Sequence, residues 1–318
     1  MGRFNEGSLV VSPSPHIVDN VTTSRIMLDV LIALIPALVM SGVIFGPRAI
    51  LLTVTCVASC ILFEAGFQYL IKKDLTINDL SSVVTGVLLG FNLPSSLPFW
   101  MAIVGSFMAI VIVKQLFGGI GQNFANPAIT ARIVLLLSFT TPMTTWPLPK
   151  QLLGTVDAVT GATPLGILKM GTALDSLPSH MDLFLGFVGG SLGETSAAAL
   201  LIGGIYLLWR KVIEPWIPLA FIGTVFVFAM LAGQDPTFHI LAGGVMLGAF
   251  FMATDYTTSP ITTSGKIIFG VGCGLITMTI RLFGSYPEGV SYSILLMNIL
   301  TPQIDTLTRG KTYGGVKA

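Results

Sequence analysis

Long apolar runs, separated by short polar stretches, dominate the chain. A helix needs about 20 residues to cross the roughly 30 Å hydrocarbon layer of a membrane, so each run of that length predicts a transmembrane helix. The pattern therefore predicts an all-α integral membrane protein. The long runs lie at 26–46, 49–71, 98–117, 183–209, 215–232, 238–253, 267–283 and 289–302.

Two shorter apolar runs complete the set. SSVVTGVLLGF (81–91) is stopped by NLPSSLP, and AITARIVLLLSF (128–139) follows GGIGQNFANP. Irregular backbone survives at membrane depth where protein or a cavity satisfies its polar groups, so both are expected to be tilted, broken or re-entrant. Together the runs predict about ten transmembrane helices. Asn92-Leu-Pro and Gln234-Asp-Pro, with NPAIT and SPIT downstream, hint at two repeated halves.

Composition and charge exclude several other classes of protein. Hydrophobic residues make up 53% of the chain and charged residues 10%, against about 25% charged in soluble domains. A net charge of +1 leaves no electrostatic footprint for nucleic acid. The cysteines, Cys56, Cys60 and Cys273, have no C-x-x-C spacing, so no disulfide framework, iron–sulfur cluster or other metal site is predicted.

The distribution of Lys and Arg predicts the orientation, because short cytoplasmic loops are enriched in these residues. With ten crossings and a cytoplasmic N-terminus, 12 of the cations fall inside and 4 outside. The start MGRFNEGSLVVSPSPH has no apolar core of signal-peptide type, so we expect it to be retained. The expected segments are a cytoplasmic N-terminal segment (1–25), a first membrane half (26–140), an extracytoplasmic loop (141–182), a second membrane half (183–302) and a cytoplasmic tail (303–318).

The loop at 141–182 is the longest polar interruption, far beyond the usual connection of a few residues. Its Pro, Gly, Trp and Leu content favours folding onto the membrane surface. It contains DAVTGATPLG, in which the small Gly161 and Ala162 are expected to leave the Thr163 hydroxyl open. A Thr hydroxyl is a poor nucleophile without a neighbouring base, so the loop is interpreted as a substrate for modification. The chain has only three histidines, His16, His180 and His239.

The same stretch resembles the acceptor signature of flavin transferases, D-x-x-[ST]-G-A-[ST]. These enzymes join FMN through its phosphate to the last Thr or Ser of the motif. Here the motif reads Asp157, Thr160, Gly161, Ala162 and Thr163. The resemblance implies that Thr163 carries FMN as a phosphoester, which makes the chain a phosphoprotein. Thr160 stands where the signature usually has Ser and is a second hydroxyl, but the offset from Asp157 favours Thr163.

Other segments resemble the RnfD/NqrB family, which contains the D component of Rnf electron transport complexes and a related component of the sodium-pumping NADH:quinone oxidoreductase. The resemblance covers nearly the whole chain, and the absence of a long N-terminal extension favours the Rnf component. The matching stretches are SPSPHIVDNVTTSRIMLDVLIALIPA, FANPAITARIVLLLSFTTPMTTW, FFMATDYTTSPITTSGKIIFGVGCG and IRLFGSYPEGVSYSILLMNIL.

This resemblance implies an electron-carrying membrane component of an ion-translocating ferredoxin:NAD oxidoreductase, not an enzyme alone. Its implied partners are the A, B, C, E and G subunits of the Rnf complex, a flavin transferase and membrane lipid, with nucleotide and iron–sulfur sites on other subunits. The chain is consistent with that division, since it has no P-loop, and GGIGQNF (118–124) is interpreted as a helix break. A second, noncovalent flavin such as riboflavin stays open, as does the choice between Na⁺ and H⁺.

Two carboxylates lie inside apolar runs, Glu64 and Asp29. A charge at a helix centre costs about 2.5–3.5 kcal/mol on insertion scales, so neither is expected to face lipid. Cys56, Cys60 and Glu64 follow i, i+4, i+8 spacing and are predicted to share one inward face. One hypothesis is that Glu64 or Asp29 binds the coupled ion. The favoured alternative is a carboxyl group that is hydrogen-bonded inside the bundle.

Other polar and aromatic residues have simpler interpretations. Those at the loop edge could contact a flavin or its phosphate, although anchoring at the membrane interface is favoured. Those near predicted helix ends are expected to cap backbone groups. The loop-edge set is Trp146, Phe184 and Lys169, and the capping set is Asp255, Asn126 and Glu194.

A rival hypothesis is a channel or secondary transporter for a small solute, in which TGAT is merely a tight turn. Composition and broken helices fit it equally well, since function resides in sites and not in the fold. A scaffold without any cofactor is a third alternative. A covalent flavin on the chain would separate the first hypothesis from the other two.

Overall fold

The computed structural model describes residues 22–149, 160–171 and 177–310. These residues are mostly helical, with one short two-stranded ladder. The helices are α1 (Thr23–Phe45), α2 (Pro47–Ile71), α3 (Ser81–Phe91), α4 (Phe99–Phe107), α5 (Pro127–Ser138), α6 (Thr140–Met143), α7 (Pro164–Met170), α8 (His180–Leu185), α9 (Ala197–Trp209), α10 (Trp216–Leu231), α11 (Pro236–Leu241), α12 (Val245–Leu247), α13 (Thr263–Phe283) and α14 (Val290–Thr308). The strands are β1 (Trp146–Pro147) and β2 (Thr160–Gly161).

Helix length and composition support a polytopic membrane protein. Helices α1, α2 and α13 are long and apolar enough to cross a membrane, and α3, α4, α5, α9 and α10 are shorter apolar helices. The predicted cap at α5 is confirmed, because Asn126 Oδ1 accepts hydrogen bonds from Ala128 N and Ile129 N at 3.1 and 3.3 Å. The structure thus confirms the mainly α-helical class predicted from the sequence.

Most of the helices pack around one large apolar core. In the first part of the chain α2 packs on α3 and α4, and in the second part α10 packs on α13, which packs on α14. Helix α1 packs along α9 and so joins the two parts. A smaller core, made by Leu165, Leu183, Val188, Phe238 and Ala242, fastens α7 and α8 to α11. This second core fixes the polar loop to the membrane helices.

The predicted span at 183–209 is wrong as a continuous helix. It divides into α8, a non-helical segment and α9, because Gly186 ends α8 in the left-handed conformation at φ 104°. The backbone then bonds to the segment after α3, with Leu192 N donating to Leu93 O at 3.1 Å and Gly193 N donating to Phe91 O at 2.9 Å. A Cβ at Gly193 would lie 2.4 Å from Phe91 Cβ, so this approach requires glycine.

The span at 238–253 is also broken. Helix α11 ends at Leu241, Gly243 has φ 70°, and α12 continues as a π-helix over Gly248–Met252. A Cβ at Gly244 would lie 2.6 Å from Glu194 Oε1. The break after α11 therefore places the backbone of Gly244 against the carboxylate of Glu194, which lies in the broken segment between α8 and α9. Helix α4 likewise continues as a π-helix over Met108–Gln115, and α14 runs on to Thr308, beyond the expected end at 302.

Three cations that the orientation count assigned to the membrane faces lie inside the bundle. Lys114, Arg132 and Arg281 are all buried. Each donates hydrogen bonds to protein oxygens. Arg281 donates to the backbone carbonyls of His239 and Ala242 at 2.6 and 2.9 Å. The orientation rule concerns cations in loops, so these three buried residues do not contribute to it.

Candidate functional site

Thr163 lies at the junction between β2 and α7. It is the N-cap of α7, and its Oγ1 accepts a hydrogen bond from Gly166 N at 3.1 Å. Pro164 takes the first helical position, where its missing N–H costs nothing. Thr163 is only 5% exposed. The expected open hydroxyl is therefore not present in this conformation, because capping and the packing of α7 bury it.

The remaining motif residues lie at the edge of the described part of the chain. The ladder pairs Trp146 with Gly161 and Pro147 with Thr160. The motif therefore lies against the segment that follows α6. The backbone of Thr160 belongs to β2, and Ala162 is exposed between the strand and Thr163. Asp157 lies outside the described residues. The ladder thus fixes the position of the backbone just before Thr163 and α7.

A cavity of about 320 Å³ opens beside Thr163. Its size falls in the range of about 300–1,000 Å³ typical of small-molecule sites. The wall combines aromatic and apolar side chains with charged groups from the bundle. It includes Met143, Trp146, Gly166, Tyr286, Arg132 and Glu288. A flat aromatic ring that carries polar edges, such as that of a flavin, would fit this wall in size and chemistry.

Helix α7 is tied to the turn that carries Tyr286. Lys169 Nζ donates to Tyr286 O at 3.0 Å and also to Gly284 O. Partial desolvation lowers the pKa of Lys169. Tyr286 stacks on Tyr292 with ring centroids 6.1 Å apart. Of the three loop-edge candidates, Trp146 lines the cavity and Phe184 is not among the residues that line it. Lys169 bonds to the turn that contains the lining residue Tyr286.

Behind the cavity lies a buried polar cluster centred on Arg132. Its Nη1 donates to Asn92 Oδ1, Glu194 Oε1 and Ser291 Oγ at 3.0, 2.9 and 3.0 Å, and its Nη2 bonds to Glu288. One side chain thus joins the segment after α3, the broken segment before α9 and the start of α14. The expected capping role of Glu194 is wrong, because its carboxylate pairs with this guanidinium instead.

Sequence reasoning missed most of this cluster. An Arg within the apolar run AITARIVLLL was the available signal, because a charge inside a membrane segment requires a buried partner. The partners Asn92, Glu194, Glu288 and Ser291 are 40 to 159 residues away along the chain. Among the residues with described positions, no three or more His, Cys, Asp or Glu side chains form a metal-binding group.

Glu64 has partners on the neighbouring helix. Its Oε1 accepts from Lys114 Nζ at 2.8 Å and from Gln115 Nε2 at 2.7 Å. Lys114 also donates to Ser81 Oγ at 2.6 Å. The predicted inward face is confirmed, since Cys56, Cys60 and Glu64 are each 0% exposed. These contacts favour the interpretation of Glu64 as a hydrogen-bonded structural carboxylate.

Asp29 is likewise paired, here between α1 and α9. It accepts from Tyr206 Oη at 3.0 Å and from Arg210 Nη2 at 3.2 Å. The pair lies where the first and second parts of the chain pack together. These contacts favour a structural role for Asp29 at this junction.

A further cavity lies between α1, α3, α5, α9 and the π-helix at 248–252. Its volume is about 90 Å³, and apolar and aromatic side chains form most of its wall, together with amide, hydroxyl and charged groups. Asn123 donates to Thr257 Oγ1 at 3.2 Å, and Asp255 accepts from Thr257 N at 3.1 Å, which organises the polar part of the wall. The wall includes Leu88, Phe250, Phe251, Asn123 and Asn126.

Comparison with known proteins finds similarity along almost the whole chain. The model of the NQR2, RnfD, RnfE family matches residues 10–314. The chain belongs to this family. It is 54% identical to the D subunit of the Na⁺-translocating ferredoxin:NAD⁺ oxidoreductase complex of Acetobacterium woodii, over 99% of this chain and 98% of the relative.

Two further relatives are similar over comparable lengths. The D subunit of the proton-translocating ferredoxin:NAD⁺ oxidoreductase complex of Clostridium ljungdahlii is 43% identical, over 98% of each chain. The D subunit of the ion-translocating oxidoreductase complex of Stutzerimonas stutzeri is 42% identical, over 92% of each chain. Na⁺ and proton translocation thus both occur in the names of close relatives, so similarity does not choose between the ions.

Proposed function

We propose that this protein is the D-type membrane subunit of an ion-translocating ferredoxin:NAD oxidoreductase complex, and that it carries electrons through FMN linked by its phosphate to Thr163. Family membership and the names of the relatives support the first part. The observation that carries the second part is the position of Thr163 on the wall of a 320 Å³ cavity that also contains Trp146 and Tyr286.

The chain's own residues would hold the group and set its surroundings. FMN supplies reversible uptake of electrons when it is bound. Thr163 fixes its position, so a tethered redox group meets its partners at a local concentration set by the tether. Met143 and Trp146 would shield the ring from water, while Arg132 and Glu288 would place charge beside it. Burial and nearby charge are the means by which a protein tunes such a cofactor.

The buried hydroxyl places a condition on maturation. A transferase must reach Thr163 Oγ1, which accepts the hydrogen bond from Gly166 N in a residue that is 5% exposed. We propose that the modification happens before α7 packs against α8 and α11, or during transient opening of that packing. The five-residue core at Leu165, Leu183, Val188, Phe238 and Ala242 is the contact that must open.

The proposed topology has ten membrane crossings, cytoplasmic termini and an extracytoplasmic flavin loop. The bias of Lys and Arg toward one set of loops supports it. The A, B, C, E and G subunits of the complex are the proposed partners, and a flavin transferase is required for maturation. Glu64 and Asp29 stay hypotheses for ion coupling, although the ion pairs to Lys114 and Arg210 favour structural roles.

A second, noncovalent flavin such as riboflavin is left without an assigned site. The cavity between α1, α3, α5 and α9 has a volume of about 90 Å³, below the roughly 300 Å³ at which small-molecule sites begin.

The test is to coexpress the chain with a flavin transferase and measure the intact mass of the purified protein. We expect the mass of one FMN phosphoester and a fluorescent band on a denaturing gel. Thr163→Ala should remove both signals, Thr163→Ser should keep them, and Thr160→Ala should keep them as the matched hydroxyl control. Flavin released into the supernatant by acid precipitation would be the noncovalent one.

An unmodified mass and a dark band in flavin-loaded membranes would contradict the covalent flavin. That result would remove the covalent flavin from the proposal and leave the family membership in place. Retention of the signal in Thr163→Ala together with its loss in Thr160→Ala would move the attachment point to Thr160.

A further inference from the structure

A second, smaller cavity adjoins the proposed attachment residue. Its volume is about 20 Å³. On this scale one water-sized occupant requires roughly 10–15 Å³, so the cavity has room for a single atom of the size of an oxygen. Thr163 lines both this small cavity and the cavity of about 320 Å³. The attachment residue therefore has a small compartment and a compartment of cofactor size beside it.

One hydroxyl group in the wall of the small cavity lacks a partner. Thr195 lines the cavity and is 3% exposed, and its Oγ1 forms no hydrogen bond within the described part of the chain. Buried polar side chains in native proteins are nearly always hydrogen-bonded, so such an oxygen points to a bound group or a water molecule. A hydroxyl group can donate as well as accept, so Thr195 can donate to an anionic oxygen.

The non-helical segment between α8 and α9 adds backbone donors to the same wall. Gly189 and Gly190 both line the cavity, and neither N–H donates to a backbone carbonyl of the described residues. A Cβ at Gly189 would lie 4.0 Å from Ala162 O, and a Cβ at Gly190 would lie 3.6 Å from Thr195 Cγ2. The segment therefore lies against both the attachment motif and Thr195. Backbone N–H groups of glycine-rich segments are common partners of phosphate oxygens.

The charged groups around the cavity offset one another. Glu194 and Glu288 line it, but both carboxylates pair with Arg132, the first at 2.9 Å. Arg281 brings a second guanidinium group close, because a Cβ at the wall residue Gly243 would lie 3.2 Å from Arg281 Nη2. Two cations thus balance the two carboxylates, so an anionic oxygen in the cavity meets no excess of negative charge. The rest of the wall is mostly apolar, which keeps bulk water out.

We propose that the small cavity holds one oxygen of the phosphate that joins FMN to Thr163, and that Thr195 Oγ1 and the N–H groups of Gly189 and Gly190 are its donors. The inference rests on the proposed function and deepens it. A phosphodiester on Thr163 Oγ1 has two further oxygens next to that atom, so one of them reaches a cavity that Thr163 itself lines. The ring is then directed into the 320 Å³ cavity. Thr195 is a positioning residue, because it fixes the phosphate and, through the phosphate, the ring.

The experiment compares the phosphorus-31 resonance of the flavinylated protein, folded and unfolded, in the parent and in Thr195→Val. A held phosphate should give a resonance displaced from that of the unfolded chain, and Thr195→Val should move it back toward the unfolded position. The anisotropy of the flavin fluorescence should fall in the same variant, because the ring loses a fixed anchor. Thr195→Ser keeps the hydroxyl group and should restore both readings. The Thr195 hydroxyl has no hydrogen bond to lose among the described residues, so the fold should tolerate Val.

Gly190→Ala is a second variant that leaves every hydroxyl group in place. Its added methyl group narrows the cavity but meets Thr195 Cγ2 only at an ordinary contact distance of 3.6 Å, so the fold should tolerate it. The phosphorus resonance should move in this variant as well. Thr53→Val is the matched control, because Thr53 is also buried but lies in α2 and does not line the cavity. It should give the readings of the parent.

The inference is overturned if the folded and unfolded parent give the same phosphorus resonance, or if Thr195→Val gives the readings of Thr53→Val. The cavity would then hold only water. Intact mass, measured first on each sample, shows whether FMN is attached. A parent chain without FMN would therefore mark failure of the proposed function and not of the phosphate site.

Discussion

At the scale of single residues, the site depends on how closely small side chains allow the backbone to approach. Gly166 is one such residue, since its N–H donates to the Thr163 hydroxyl and a Cβ built on it lies 3.3 Å from Thr163 Oγ1. Gly244 is another, since a Cβ there would lie 2.6 Å from Glu194 Oε1. Gly166 thus leaves room around the proposed attachment oxygen, and Gly244 leaves room around the carboxylate that pairs with Arg132.

Gly166→Ala is expected to lower the fraction of flavinylated chain without removing the acceptor. The added methyl group crowds Thr163 Oγ1, and overpacking of this kind costs about 1–3 kcal/mol. Intact mass after coexpression with the transferase measures the fraction. Gly223→Ala is the control, because its Cβ meets nothing within 4 Å. Equal flavin occupancy in the two variants would show that Gly166 leaves no needed space.

At the scale of elements, the loop is attached by contacts between short helices. Asp235 caps α11 through Thr237 N and Phe238 N at 3.0 and 3.3 Å, and it accepts from His180 of α8 at 2.5 Å. Burial raises the pKa of Asp235, but hydrogen bonds from Thr237, His180 and Phe238 outweigh it and lower the pKa to about 2. The α8–α11 contact therefore depends on an ionised carboxylate.

In Asp235→Asn the melting temperature should fall less between about pH 4 and about pH 2 than it does in the parent protein. The lowered pKa means that ionised Asp235 stabilises the fold above its ordinary pKa of 3.8, and that this contribution disappears as the pH falls toward 2. Asn keeps the cap but has no charge to lose, whereas Asp235→Ala also loses the cap, which costs about 1 kcal/mol. Melting temperatures of the detergent-solubilised protein across this pH range measure the effect. Asp74→Asn, at an exposed position, should follow the parent curve.

At the scale of the whole molecule, the two parts of the chain meet along α1 and α9 and through the broken segments. Membrane helices associate closely where small residues let backbones approach. A Cβ at Gly203 would lie 2.1 Å from Ala33 O, so α9 and α1 are in backbone contact. The ion pair of Asp29 with Arg210 joins α1 to the end of α9.

Gly203→Ala should push α1 and α9 apart and lower the melting temperature. Because the clash is with backbone, relief requires a helix shift, and a cost of about 1–3 kcal/mol is expected. Thermal unfolding in detergent, compared with Gly223→Ala, measures it. A melting temperature equal to that of Gly223→Ala would mean that the helices adjust without cost.

The sequence by itself determined the class of the protein. Apolar runs of membrane length predicted the helices, and local i, i+4 spacing placed Cys56, Cys60 and Glu64 on one inward face. The motif around Thr163 predicts a modification site, which stays a prediction. These features depend on neighbouring residues, so a single sequence contains them. The family resemblance agreed with the matching family model.

Only the tertiary structure decided where the helices break and what the breaks bring together. The backbone at Gly193 leaves the helix because Phe91 O accepts its N–H. Arg132 stays buried because Asn92, Glu194, Glu288 and Ser291 surround it. These partners are remote in sequence, and a buried charge or an unwound backbone is stable only when every partner is in place. Local pattern cannot contain that information.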